Sequence, residues 1–209
     1  MRRRLLWLAC PWMIMVGACS TGIEEATPET TSEPSESSAV AAANDAVPSG
    51  VDLEFEMVVA NLDEDGGDNA ASIVAPADWR QDASILGVRF VPPADSALGP
   101  NSTYEVENNC DGLCGPTDWE ERLTGPDGYL TLQADDGVNV VERRETTGSA
   151  GAVLITEESD TTVVRVLRWD DSAPEFFTCE ATIEAGAEDL VPAFEAACLA
   201  TRPEWFPVD

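Results

Sequence analysis

The sequence predicts an α+β domain: a mostly antiparallel β-sheet with a short middle helix, a C-terminal helix packed on the sheet, and two disulfides. Three observations lead there. Apolar and acidic residues alternate from Val51 to Val59, the pattern of a half-buried strand. Runs rich in β-branched residues, bounded by Gly, Pro and Asx turns, recur from Ala71 to Ile183. Leu190, Phe194, Ala197 and Cys198 then repeat at helical spacing and form the buried stripe of one helix.

Three segments precede or make up that domain: 1–18, 19–48 and 49–209. Met1-Arg2-Arg3-Arg4 is a positive start, Leu5 to Val16 an apolar core, and Gly17-Ala18 a pair of small residues before Cys19, the plan of a signal peptide. The apolar run falls short of the roughly 20 residues a membrane-spanning helix needs, and Pro11 interrupts it. Val16-Gly17-Ala18-Cys19 is similar to the lipobox of bacterial lipoproteins. That resemblance implies cleavage before Cys19 and a diacyl lipid on its sulfur, placing the protein on the extracytoplasmic side of the cell membrane. An ordinary signal peptide or an uncleaved anchor is the alternative, and the export route, general or twin-arginine, stays open. Residues 19–48 carry Thr, Ser, Glu, Pro and Ala with no basic residue, and are expected to form a disordered acidic tether.

Within 49–209, Val51, Leu53, Phe55, Met57 and Val59 are expected on one face of the first strand. Gly66-Gly67 and the surrounding Asx residues make a turn to a second strand near Ala71 to Ala75. Asp63, Asp65 and Asp68 are candidate calcium ligands in that turn. Their spacing departs from an EF-hand loop, since Gly67 stands where an oxygen ligand belongs and no glutamate closes the loop, so a solvated hairpin turn is the simpler reading. Pro76-Ala77-Asp78-Trp79 breaks the second strand; Ile85 to Val91 forms another, stopped by Pro92-Pro93, and Asn101 to Glu107 a further short one. Thr117 or Asp118 caps a short helix over Trp119 to Leu123, ended by Gly125-Pro126. Strands are then expected at Tyr129 to Gln133, Val138 to Arg143, Ala152 to Thr156, Thr161 to Trp169 and Phe176 to Ile183. Gly186 closes the last, and Asp189 caps the final helix, with Pro192 tolerated in its first turn. Pro203, Trp205, Phe206 and Pro207 form an aromatic tail expected to fold back on the core edge, a ligand-binding lip being the alternative.

Cys10 leaves with the signal and Cys19 takes the lipid, which leaves Cys110, Cys114, Cys179 and Cys198. An even number in an exported domain reads as disulfides, and of the three connectivities the favoured one joins Cys110 to Cys114 and Cys179 to Cys198. The second bridge would clamp the final helix to the sheet. Zinc fits badly, because the spacing is wide and the chain has no histidine.

Pro76-x-x-Trp79, the Gly87-Val88-Arg89-Phe90 strand, the later strands and the C-terminal helix together resemble the Mog1/PsbP-like domains of some exported lipoproteins, over about residues 50 to 200. The two cysteine pairs depart from that pattern. Members of the family act mostly as binding or assembly subunits, so the resemblance implies a non-catalytic role and carries over no individual residue.

Composition excludes more than it assigns. The chain has 40 acidic residues against 11 basic ones, a formal charge of -29, and every basic residue is Arg. Nucleic acid is a poor partner for such a surface. The acidity is either a bulk adaptation to salt or genome composition, or a patch for cations and basic partners. Arg143 and Arg144, adjacent in sequence, either grip an anion or meet nearby glutamates. Without histidine or lysine there is no Ser-His-Asp or Cys-His triad, no Ser-Lys dyad, no Schiff-base lysine and no P-loop lysine. No cofactor is expected. The expected partners are the membrane, through lipid on Cys19, and an envelope ligand or protein. The alternatives are a carboxylate-based glycan hydrolase or lyase, and a calcium-dependent adhesion or sensor domain.

Overall fold

A computed structural model describes residues 36–62, 70–84, 86–96, 98–109, 119–126, 128–146, 151–169 and 176–203. The chain divides between Glu33 and Pro34, and the fold is that of the second unit, Pro34–Asp209. It is α+β, with all strand pairs antiparallel. In chain order the elements are α1 (Glu36–Asp45), β1 (Phe55–Asn61), β2 (Ala70–Pro76), β3 (Arg80–Ser84), β4 (Gly87–Val91) and β5 (Thr103–Asn109). There follow α2 (Trp119–Thr124), α3 (Tyr129–Asp135), β6 (Asn139–Glu145), β7 (Gly151–Glu158), β8 (Thr161–Trp169) and β9 (Phe176–Glu184). A 3-10 turn (Glu188–Leu190), α4 (Val191–Ala200) and the two-residue β10 (Arg202–Pro203) complete it.

A large sheet runs β3-β4-β5-β9-β8-β7-β6 and a small one β1-β2-β10. Strand parity sets the inner face of the large sheet. Tyr104 and Val106 pair with Ala181 and Cys179, which pair in turn with Val164 and Val166, and all six are buried. The apolar α4 lies on this face, touching β8 and β9, with β2 and α1 against its other sides. Phe194 is its anchor: its ring meets Phe55 edge-on at 5.4 Å, Trp79 at 5.8 Å and Tyr104 at 6.0 Å. The Cys179–Cys198 disulfide is present, with Cα atoms 5.3 Å apart, and clamps α4 to the sheet as the spacing predicts. Beside it, the Thr201 hydroxyl donates to the Ala197 carbonyl (3.0 Å) and accepts from the Val74 N–H (3.1 Å). Its single proton is therefore spent, and the Tyr104 hydroxyl 3.1 Å away donates to it. Burial pushes the Tyr104 phenol above its ordinary range and keeps that proton in place. Both sheets and α4 thus meet at one hydroxyl.

Several expectations change. The segment expected as tether up to Pro48 contains α1, so the folded part begins at Glu36 rather than at 49. Alanine makes this possible: Ala39 and Ala43 offer little apolar area but strong helix propensity, and with Val40 they pack into the core where α1 meets α4. The first strand begins at Phe55, and its buried face switches midway, leaving Phe55 and Ala60 buried and Val59 65% exposed. Residues Arg80 to Ser84 pair with β4 as an edge strand that their polar composition conceals. Tyr129 to Gln133 is helical, not extended. Tyr129 and Leu130 both pack on the outer cluster of Leu123, Ala152, Leu154 and Leu167, which adjacent residues of a strand could not do. The Thr131 hydroxyl, bonded to the Gly125 carbonyl at 2.8 Å, ties the start of that helix to the end of α2. Finally, Asp189 lies inside the 3-10 turn that feeds α4, whose own start has no side-chain cap.

Candidate functional site

The outer face of the large sheet concentrates the charge that the inner face excludes. On β4, β5, β9 and β8 the residues between the core positions are Arg89, Glu105, Glu107, Glu180 and Arg165, and strand pairing puts them in register. One row crosses all seven strands: Asp82, Arg89, Glu105, Glu180, Arg165, Leu154 and Arg143 are successive partners. Glu105 and Glu180 stand directly opposite each other, and each is held by the arginine on its far side. Arg89 bonds Glu105 at 2.8 Å and Arg165 bonds Glu180 at 2.5 Å. The two pairs differ in solvation: the Arg89 side chain is 49% exposed, that of Arg165 only 11%. The face of the Tyr129 ring covers Arg165, 5.6 Å from its guanidinium carbon, and Gln133 Oε1 accepts from Arg165 Nη1 at 3.5 Å. Burial is the largest influence and works against the Arg165 charge, but Glu180, Tyr129 and Glu158 together outweigh it, and the guanidinium stays above its ordinary pKa.

In the next row Ser84, Gly87, Glu107 and Thr178 are partners. The strands approach closely here, since a Cβ on Gly87 would lie 1.9 Å from the Val106 carbonyl oxygen. Glu107 forms no ion pair among the described residues; the Ser84 hydroxyl donates to it at 3.1 Å. Burial, then the neighbouring charge of Glu105, raises its pKa above the ordinary carboxylate value, and the Ser84 bond only partly offsets this. A half-buried carboxyl inclined to keep its proton can donate a hydrogen bond or a proton to a bound group.

The residues singled out in the sequence lie elsewhere. Cys179 and Cys198 come together in the core, away from this face. Cys19, the Cys110 and Cys114 pair, the candidate calcium ligands Asp63, Asp65 and Asp68, and the tail residues Trp205, Phe206 and Pro207 lie outside the described residues. Among the described residues, no group of three or more His, Cys, Asp or Glu side chains is placed to hold a metal ion. Arg143 and Arg144 do meet glutamates: Arg143 pairs with Glu145 at 3.8 Å, and Arg144 with Glu142 at 2.5 Å and with Glu195 of α4 at 2.6 Å. The charge ladder is not among the sequence-derived candidates, although Arg89, Glu105, Glu107, Glu180 and Arg165 each sit one residue from a core position on a strand.

No helix among the described residues is long and apolar enough to cross a membrane. The chain matches no family model and no curated protein.

Proposed function

We propose that the chain is an exported lipoprotein, cleaved before Cys19 and lipidated there, whose folded domain is a non-catalytic binding or assembly module at the extracytoplasmic face of the membrane. The observation that carries this reading is the buried Cys179–Cys198 bridge. A disulfide joining two structural elements in the core belongs to an oxidising compartment, and Val16-Gly17-Ala18-Cys19 supplies the address that leads there. The resemblance to Mog1/PsbP-like domains and the absence of histidine and lysine from the sequence favour binding over catalysis. The test is membrane fractionation of the chain expressed with its leader, together with incorporation of labelled palmitate. Cys19→Ser should lose the label and move to the soluble extracytoplasmic fraction while folding normally. A variant that stayed in the membrane would end the lipoprotein reading.

One observation favours carboxylate catalysis instead, namely the raised proton affinity of Glu107 beside Glu105 and Glu180. Turnover of envelope glycan by the purified chain, abolished in Glu107→Gln, would replace the binding module with an enzyme.

A further inference from the structure

Four strands end the two sheets, and three of them are guarded in the ways that natural proteins guard edges. β6 carries Glu142-Arg143-Arg144-Glu145, β3 carries Arg80 and Asp82, and β10 is two residues long and contains Pro203. β1 is the exception. Its Met57-Val58-Val59 stretch has no charge, and Val59, 65% exposed, is the most exposed large apolar side chain among the described residues.

Hydrogen-bond parity shows which backbone groups that edge presents. Asn44 clasps Phe55 from outside the sheet: the Phe55 N–H donates to Asn44 Oδ1 at 2.7 Å, and Asn44 Nδ2 donates to the Phe55 carbonyl at 3.0 Å. The primary amide of Asn44 thereby does at Phe55 what a peptide group of a neighbouring strand would do. Alternate residues of a strand point their backbone groups the same way, so Met57 and Val59 also present N–H and C=O outward. Those groups find no partner among the described residues. The first rung of the edge is closed by α1, and among the described residues the next two are open.

We infer that the β1 edge is a docking site for an extended, basic segment of another protein, which adds a strand beside Met57 and Val59. Resting on the reading of the domain as a binding module, this names the module's surface and the chemistry of its partner. Main-chain hydrogen bonds supply the attachment and the side chains beside them select the sequence. The selection is for positive charge: Asp52, Glu54 and Glu56 are exposed at the Asn44 end of the open stretch. A second copy of the chain, at a charge of -29 and without a lysine, would bring like charge to this edge, whereas alternating apolar and basic residues meet both the Met57-Val58-Val59 stretch and its acidic flank of Asp52, Glu54 and Glu56.

The test uses the full chain in detergent and amide hydrogen exchange at Met57 and Val59. The probe is an acetylated octapeptide of alternating valine and arginine. Exchange at both amides should slow at least tenfold on adding it, and neither the valine–glutamate octapeptide nor a fully N-methylated valine–arginine one should have this effect. Val59→Pro removes an outward N–H and spares the ladder to β2. Should it fail to fold, Val59→Arg keeps the backbone and repels the peptide; either variant should weaken peptide binding at least tenfold. Unchanged exchange with the basic peptide, or equal protection by the acidic one, overturns the inference. So does protection that rises with chain concentration in the absence of peptide, which would assign the edge to a second copy. None of these results bears on the fractionation of Cys19→Ser or on glycan turnover, so the edge and the lipoprotein reading stand or fall separately.

Discussion

The two faces of the large sheet are built from the same strands, residue by residue in alternation, yet they are held by different physics. Inward, Tyr104, Val106, Val164, Val166, Cys179 and Ala181 are removed from water and locked by α4, the disulfide and the Thr201 hydroxyl. Outward, Arg89, Glu105, Glu107, Glu180 and Arg165 remain in varying contact with solvent, and all but Glu107, which takes a hydrogen bond from Ser84, are joined by ion pairs. Burial of apolar area is neither screened by salt nor titrated, whereas a charged row is subject to both. The inner face therefore sets whether the domain is folded. The outer face sets how its surface behaves once it is.

The sharpest way to break that contrast is to empty the inner face. Phe194→Ala removes the ring shared by Phe55, Trp79 and Tyr104, and α4 cannot readily close the space because its C-terminal end is tied to the large sheet by the Cys198 disulfide and to both sheets through Thr201. The cost should be about 3–5 kcal/mol, read from the midpoint of urea unfolding, with no dependence on ionic strength. A loss that varied with salt would mean the inner face is not the apolar scaffold described here.

A smaller effect is expected from the buried end of the outer ladder. Glu180→Ala strands the Arg165 guanidinium, only 11% exposed, under Tyr129 with Gln133 as its remaining side-chain partner. Leaving a charge unpaired at that depth should cost about 2 kcal/mol, less than for a fully buried pair because Glu180 itself is partly solvated. The double replacement Arg165→Met with Glu180→Leu should recover most of the loss, since an apolar pair there meets Leu154 and Tyr129. Arg89→Ala, at the solvated end of the same row, should cost about 0.5 kcal/mol and lose even that in molar salt. Equal costs at the two ends would show that solvation does not grade the ladder.

The inner face was far more legible in the sequence than the outer one, for reasons visible in single residues. Phe177, Cys179, Ala181 and Ile183 alternate cleanly, and Leu190, Phe194, Ala197 and Cys198 keep helical spacing, so strand, helix and disulfide could all be placed. Where the period failed, a tertiary contact had overridden it. Tyr129 and Thr131 are β-formers by type, but the segment is drawn into a helix as Tyr129 and Leu130 pack on the outer cluster, and the small residues of α1 matter only because α4 is there to receive them. The charge ladder posed a different problem. Its members stand in five strands scattered from Asp82 to Glu180, and only the strand order β3-β4-β5-β9-β8 brings them into one row. Local pattern finds faces; it does not find neighbours across a sheet.

The finest test of the two faces lies at Glu107, where the outer surface begins to resemble the inner. Its carboxyl holds its proton more tightly in the folded chain than an ordinary glutamate does, through burial first and the charge of Glu105 second. Below the ordinary carboxylate range the group is protonated whether the chain is folded or not, and it contributes no pH dependence. As pH rises through that range the unfolded chain releases the proton first, so the folded state binds more protons and stability falls with pH, until the raised folded value is passed and the loss is complete. Glu107→Gln keeps an acceptor for the Ser84 hydroxyl and never ionises. At neutral pH it should be more stable than the natural chain by less than about 1 kcal/mol, since the site is only half-buried and its neighbours are screened. That is a rise of a few degrees at most in Tm, and the difference should vanish below the ordinary carboxylate range. Calorimetric melts of both chains at a series of pH values read this directly. A gain that persisted at low pH would assign the effect to packing, and would make Glu107 a member of the inner regime rather than of the charged row.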